Sequence, residues 1–453
     1  MEVGHGLGMQ LMFFDKTVRR LMMKVLFAVV IFLLWGDIAT RATAASGDQQ
    51  TPGTTIHIDI NALPLPSPQA VPTIAFPKTI KRPENVSPTV PSGFKVVLFA
   101  EGLSHARNML VAANGDVFVA EPRASKVTLL RDNDGDGRAE VMATFIDNLN
   151  RPHGLAFTDG FILIGAMDGL WKIPYVPGDL KAQGRGVNLV PNGTMGPPDM
   201  RFHWHRNIAV HPDGDRVFVG IGSLTNADDD PKPHATIQEV QINGSGVRQY
   251  ASGIRVPSGL AFYPGTDDLY TVANERDLLG DELVPDYLTI VEEGGFYGWP
   301  YSYWGANLDP RLEGKGRELA ARAIVPDTPF RSHSAPTGLV IYSSDSFPPE
   351  WRNGAFVSLH GSWNAATPRG YHVVYVPFEN GRPKDSYVVF ASGFWLDSET
   401  RLPVWERLAF WRDKAKQAQV WGRPGGLAVD NDGNLLMSDD VSQTVWRVMH
   451  TGE

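Results

Sequence analysis

Apolar and polar positions alternate along most of this chain on a recurring plan. Six segments share it: RNMLVAANGDVFVAE from Arg107, PHGLAFTDGFILIGA from Pro152, RNIAVHPDGDRVFVGIG from Arg206, PSGLAFYPGTDDLYTVAN from Pro257, PTGLVIYSSDSFPPEWRNGAFVSLHG from Pro336 and PGGLAVDNDGNLLMSDD from Pro424. Each is an apolar β run, a turn of Asn, Asp, Pro or Gly, and a second alternating run. Period-two alternation on both sides of an Asp-Gly or Asn-Gly pair predicts a β-hairpin, because those residues accept the positive φ of a tight turn. The hairpins recur at intervals of roughly 45 to 90 residues. Further strand-like runs flank them, among them FKVVLFAEG, KVTLLRD, TIQEVQI, YHVVYVPF and TVWRVMH.

About four strands per unit in six units predicts an all-β six-bladed β-propeller over residues 92–453, in which radial closure hides the sheet edges. A tandem of β-sandwiches would need linkers between units, and none is visible. Helical periodicity is weak except in SETRLPVWERLAFWRDKAKQAQVWG, residues 398–422, where a short helix over one face is expected.

The N-terminal 91 residues break the pattern and form an N-terminal extension. Arg19, Arg20 and Lys24 precede an apolar run from Val25 to Trp35, and Ala42-Thr43-Ala44 offers a small-residue cleavage site. This reads as an export signal over residues 1–44. Eleven apolar residues make roughly 16 Å of helix, about half a bilayer core, so no stable membrane span is expected. The adjacent arginines also resemble a twin-arginine signal, and either route implies a periplasmic or secreted protein. Residues 45–91 are rich in Pro, Thr and Ser and read as a leader or linker.

Composition narrows the function. A net charge of −9 without a basic tract argues against a nucleic-acid partner. The absence of cysteine excludes disulfides, thiolate metal sites, a cysteine nucleophile and a fused c-type haem domain. There is no G-x-S-x-G elbow, no H-E-x-x-H and no phosphate-cradling glycine loop, so nucleophilic hydrolysis finds little support.

In a propeller the loops entering the inner strands converge on one face, where ligands bind. The segments just before the apolar runs are Arg151-Pro152-His153, His203-Trp204-His205-Arg206-Asn207, Arg255-Val256-Pro257-Ser258, His333-Ser334-Ala335-Pro336 and Arg423-Pro424. Taken together they predict a ring of imidazoles and guanidiniums suited to an anionic ligand with carboxylates, since Arg pairs bidentately with carboxylate. Taken singly, each could cap a strand. Two acidic groups stand apart. Glu275, Asp277, Asp281, Glu282 and Asp286 could serve a hard cation such as calcium, or form a solvated loop. Asp132, Asp134 and Asp136 ahead of Gly137 and Glu140 resemble half of an EF-hand loop without its closing Glu, which leaves a structural calcium or a polar turn open.

HWHRN, GIRVPSGLAF, VANERDLLGDELVPDYLTIVEEGGFYGWPYSYWG, HSAPTGLVIY, FVSLHGSWN with GYHVVYVPF, and WGRPGGLAV run in one collinear order. From about Pro91 to the C-terminus they resemble the sorbosone dehydrogenase branch of the soluble sugar dehydrogenases that use pyrroloquinoline quinone. The resemblance implies a six-bladed propeller, the quinone in the axial pocket with calcium, an external electron acceptor, and oxidation of an aldose or sugar aldehyde. Carried over position by position, His203 takes the catalytic base that assists hydride transfer, and Arg255 and Arg423 bind the cofactor. The carbonyls at Asp277 and Leu278 fall where calcium would be held, with Glu275 and Asp281 beside them. Three positions depart from the family: Val256 replaces an asparagine, Phe202 stands where an aspartate is usual, and the aromatic pair that sandwiches the quinone is not evident around Phe330 to Ser334. His153, His333, His360 and Trp363 are the residues available to supply those contacts. Two other readings remain: a calcium-dependent lactonase, which would need Glu, Asn and Asp at inner strand ends, and a non-enzymatic propeller that binds glycans or proteins.

Overall fold

The computed structural model describes residues 50–68, 75–191, 193–395 and 419–452, all within one compact unit spanning Asp48–Glu453. The expected export signal and all but the last few residues of the expected helix lie outside these ranges. At the described end of that helix, Gln419–Val420 is a short strand instead.

The alternating runs form six antiparallel sheets of four or five strands, and the six-bladed propeller read from the repeats is what the chain builds. Blade one runs from Met109 to Ile146, blade two from Gly154 to Asn188, blade three from Ile208 to Ser252 and blade four from Val256 to Phe330. Blade five, Pro336 to Ala391, gains a fifth, outermost strand from the leader, Thr55–His57, paired with Ser386–Val388. Blade six takes three strands from Pro424–His450 and its fourth from Phe94–Glu101, which pairs antiparallel with Thr444–His450. The ring is therefore closed by the two ends of the propeller sequence. The turns follow the hairpin signature: Gly115, Gly160, Gly214 and Gly433, each after Asn or Asp, lie at φ between 69° and 89°.

The first strand of each blade is innermost, and inner strands of successive blades lie against one another around the axis. That approach explains a shared residue type. A β-carbon at Gly154 would stand 2.5 Å from the Arg206 carbonyl oxygen, at Gly338 2.5 Å from that of Gly425, and at Gly426 2.4 Å from that of Arg107. Only glycine permits such contact. Polar side chains knit the same level together: Asn108 Nδ2 donates to Asn207 Oδ1, Asn207 Nδ2 to the Ser258 carbonyl, and Ser258 Oγ to the Pro336 carbonyl. The apolar core lies between the blades. Tyr342, Phe347, Phe356, Phe390, Trp421 and Trp446, for instance, pack blade five to blade six.

The leader from Gln50 onward is held against this body. Ser67 N donates to the Leu279 carbonyl and Ala75 N to that of Trp363, and Lys78–Thr79 pairs in parallel with Gln419–Val420.

Candidate active site

Four loops that enter inner strands turn through the left-handed region at a side chain rather than at glycine: His105 (φ 62°), Arg151 (φ 49°), His203 (φ 50°) and His333 (φ 67°). Non-glycine residues pay for that conformation, and such strain gathers at binding sites. The loops bring two carboxylates, the half-buried Asp277 and the buried Asp440, into a field of arginine and histidine.

Around Asp277 every polar atom is engaged. Its Oδ2 lies 3.2 Å from Arg255 Nη2, and its Oδ1 lies 3.5 Å from His333 Nδ1 and accepts from Asn364 Nδ2 at 2.5 Å. Arg255 spends its remaining donors on Asn226 and on the Glu275 carbonyl. Burial works against the Asp277 charge, but Arg255 and the His333 hydrogen bond hold its carboxyl well below the usual range. Burial likewise opposes charge on His333, yet the bond to Asp277 raises it above its ordinary value. His333 Nε2 lies 3.1 Å from the Gly280 carbonyl, while Nδ1 has both Asp277 Oδ1 at 3.5 Å and Asn364 Nδ2 at 3.3 Å beside it.

His203 sits beside this group. Its Nδ1 is 2.7 Å from the Ser223 carbonyl, which can only accept, so Nδ1 carries the proton and Nε2 keeps its lone pair. Burial, then the Arg255 charge, push its pKa down to about 4. A β-carbon at Gly222 would lie 2.8 Å from that of His203, so the neighbouring glycine is what leaves the ring its place.

Asp440 is held by three donors from two blades: Arg107 Nη2 at 2.6 Å, His105 Nε2 at 3.1 Å and His360 Nε2 at 3.1 Å. Burial, then Arg107, push His105 down to about 3, while burial, then Arg423, do the same to His360. Both rings are neutral near pH 7. Trp204 fills the middle of this group, stacked on His205 at 4.5 Å, edge-on to His153 at 5.5 Å, with the Arg107 guanidinium 5.7 Å from its centre. Here donors and acceptors are left over. Arg107 is only 6% exposed, yet its Nε and Nη1 have no hydrogen-bond partner, and neither does the buried Nδ1 of His105, His153 or His205. Orphaned buried polar atoms are rare, and five on one wall point to a polar ligand.

The residues expected from the sequence fall into three sets. His203, Arg255, Asp277 and His333 come together. His153 and His360 join the Asp440 group. Arg423 donates to the carbonyls of His360 and Gly361 and braces that loop, while Arg151 donates to the Met200 carbonyl. Trp363 stacks on Phe76 of the leader, with ring centres 5.4 Å apart.

Of the residues expected to hold calcium, Leu278 turns through the left-handed region at φ 74°, and Asp277, Glu275 and Asp281 face donors. The Asp277 carbonyl accepts from Asn226 Nδ2 at 2.9 Å and Arg311 Nη1 at 2.8 Å, and the Glu275 carboxylate pairs with Arg276 at 2.9 Å. Asp281 Oδ2 accepts from Ala366 N at 2.8 Å. A cation does not fit among N–H groups, so no chemistry is routed through calcium here. The acidic group Asp132, Asp134, Asp136 and Glu140 does bring its oxygens within 4.8 Å of one another, away from this site on the blade-one hairpin, but Asp134, Asp136 and Glu140 are exposed and Asp132 is paired with Arg447 at 3.0 Å. Asp286 takes no part in ion binding: it accepts from the backbone N–H of Glu275 and Ala335, and burial pushes its carboxyl up to about 7.

The sequence comparison overlooked His105, Arg107 and Asp440. A signal existed: Arg107-Asn108 repeats the Arg206-Asn207 pair at the same place before an inner strand. The two arginines differ in use, since Arg206 is wholly spent on the Met195, His203 and His205 carbonyls and Met200.

Residues 198–362 match the family described as Glucose / Sorbosone dehydrogenase, residues 311–451 a family described as TrAA12-like, and residues 87–190 a domain of unknown function. The resemblance read from the sequence is thus borne out. An uncharacterized protein of Borreliella burgdorferi is 24% identical over 374 residues, covering 80% of this chain and 90% of that protein. Aldose sugar dehydrogenase YliI of Escherichia coli is 30% identical over 147 residues, 32% of this chain and 37% of its own. Among solved structures, the holo pyranose dehydrogenase PQQ domain of Coprinopsis cinerea superposes with TM-score 0.65 at 18% identity, over 83% of this chain and all of that one. A calcium structure of the Trichoderma reesei family AA12 enzyme gives 0.64 at 19% identity, over 80% and 97%.

Proposed function

We propose that this chain, whose residues 198–362 carry the glucose/sorbosone dehydrogenase domain, is a pyrroloquinoline quinone-dependent sugar dehydrogenase with His203 as its base. The observation that carries the reading is the pairing of a half-buried, neutral His203, its Nε2 lone pair uncommitted, with a wall of unpaired buried polar atoms: the Arg107 N–H groups and the Nδ1 atoms of His153 and His205.

The site fits a flat, anionic cofactor. Arg107 Nε and Nη1 offer two charged N–H groups to carboxylate, which is worth more than a neutral pair. Trp204 offers an aromatic surface beside them. When bound, the quinone supplies the electrophile that accepts hydride from the sugar carbon. His203 takes the substrate hydroxyl proton at Nε2, and its Nδ1–H, fixed on the Ser223 carbonyl, keeps the ring in the tautomer that can do so. The Asp277 group holds Arg255 beside His203, and burial, then the Arg255 charge, keep the imidazole unprotonated at neutral pH. Export to the periplasm rests on the N-terminal signal features; among the described residues, no helix is long and apolar enough to cross a membrane.

The test is reconstitution. Purified protein is titrated with the quinone, with and without calcium, and thermal unfolding and oxidation of a panel of aldoses are followed with an artificial acceptor. Stabilisation by the quinone together with oxidation of at least one sugar is expected. No stabilisation and no turnover would refute the assignment.

A further inference from the structure

The loop from Glu275 to Asp281 already meets a cation of the protein's own. The Asp277 carbonyl oxygen has two lone pairs, and both are taken: Asn226 Nδ2 lies 2.9 Å away and Arg311 Nη1 2.8 Å. Each of these donors is held from behind. Arg311 comes from the long connection between the blade-four strands Asp286–Ile290 and Thr328–Phe330, and there Asp309 grips it as a fork: Arg311 Nε donates to Oδ1 at 2.9 Å and Nη2 to Oδ2 at 2.6 Å. The Asp309 side chain is wholly buried and lies 3.5 Å from Arg276 Nη1, so it is fixed in turn. Asn226 accepts at Oδ1 from Asp277 N at 2.9 Å and from Arg255 Nη2 at 3.0 Å, which leaves its amide one orientation. Calcium takes about six to eight oxygen ligands. On this loop it would meet N–H groups and two guanidiniums, Arg255 and Arg311, whose charge repels it. Those guanidiniums already bring the positive charge that an ion would.

We propose that Arg311, seated with Asn226 on the Asp277 carbonyl, stands in for calcium on this loop, so that the quinone binds without the ion. The quinone rests on the sugar dehydrogenase reading; the filled loop does not. Arg311 is a positioning residue here. Removing it frees one lone pair of the carbonyl and unpairs the Asp309 carboxylate, two oxygen groups that the guanidinium had bridged and that suit a hard cation.

The experiment compares wild type with Arg311→Met, each stripped of metal and then kept in chelator or in excess calcium. Quinone affinity is read from quenching of tryptophan fluorescence. In wild type it should be the same in both conditions; in Arg311→Met calcium should tighten the quinone by roughly 10-fold, the lower end of what the partners of a metal site are worth. A calcium dependence in wild type, or none in Arg311→Met, would overturn the proposal while leaving the dehydrogenase reading intact. Should Arg311→Met fail to fold, the wild-type comparison decides alone. Amide hydrogen exchange over residues 275–283 of the quinone-free wild type, followed by mass spectrometry, should be equal in chelator and in calcium, and it is read apart from the acidic residues 132–140. If the quinone binds in neither condition, the dehydrogenase reading fails by itself, and the exchange still decides the matter: slowing by calcium over residues 275–283 refutes a filled loop.

Discussion

The two carboxylate groups are built from the same parts and end in opposite states. Asp277 with Arg255, His333 and Asn364 is saturated: its polar groups are paired with one another, and against burial the bond to Asp277 raises His333 above its ordinary value. Asp440 with Arg107, His105 and His360 is not: the carboxylate is satisfied, but Arg107 keeps two N–H groups unpaired and the histidines are neutral. Residue type does not separate a ligand-binding group from a scaffold here. What separates them is how many polar atoms the protein leaves over.

Changing each group should therefore produce different losses. The largest effect is expected outside both carboxylates, at the base: His203→Ala should lower kcat by about 10²- to 10⁴-fold with little change in thermal unfolding, measured by steady-state kinetics beside a melt. Next, Asp277→Ala strips Arg255 and His333 of their counter-charge. It should cost about 3 kcal/mol of stability, read from denaturant unfolding, because a buried charge left alone is penalised heavily. Arg107→Lys, which keeps a positive charge for Asp440 but gives up the two spare N–H groups, should act on the ligand instead, weakening quinone binding by roughly 10- to 100-fold, since a charged hydrogen bond is worth about 1.5–3 kcal/mol. A fall in stability with unchanged affinity would erase the distinction between the two groups.

Histidine protonation gives a finer test. His105, at about 3, stays neutral in the folded protein while the unfolded chain takes a proton below about 6.5. Its contribution falls as pH drops from 6.5 towards 3, and His105→Gln should flatten that side of the stability profile. His333 is raised, so its contribution is complete below about 6.5 and is lost as pH rises through its folded value. His333→Gln should flatten the opposite side. The smallest expected effect is on the activity profile, whose acid limb should lie near pH 4, set by His203, rather than at the ordinary histidine value.

Much of the fold was legible because its demands are local. Gly154, Gly338 and Gly426 recur before the apolar runs because inner strands meet there, and Asn-Gly and Asp-Gly pairs recur because the turns need positive φ. His203 and Arg255 were legible for the same reason, as they stand at one repeated position. Arg107 was hidden in the first repeat, taken as the start of a strand. Asp440 sits in the turn run MSDDVSQT and looks like any hairpin acid. Its meeting with Arg107 depends on ring closure. Nor does sequence tell that Arg255 and Arg423 spend their donors on carbonyls while Arg107 does not. That difference is set by loop paths.

The closing strand Phe94–Glu101 pairs with the last strand of the chain, Thr444–His450. The pair Arg107–Asp440 spans the same seam, joining the first blade to the last. During synthesis Asp440, the partner of Arg107, emerges only after the strands of blades one to five. Until then Phe94–Glu101 is an open sheet edge and Arg107 lacks its carboxylate. A chain clipped before Asp440, however well its other blades are formed, therefore leaves the buried Arg107 guanidinium without its counter-charge.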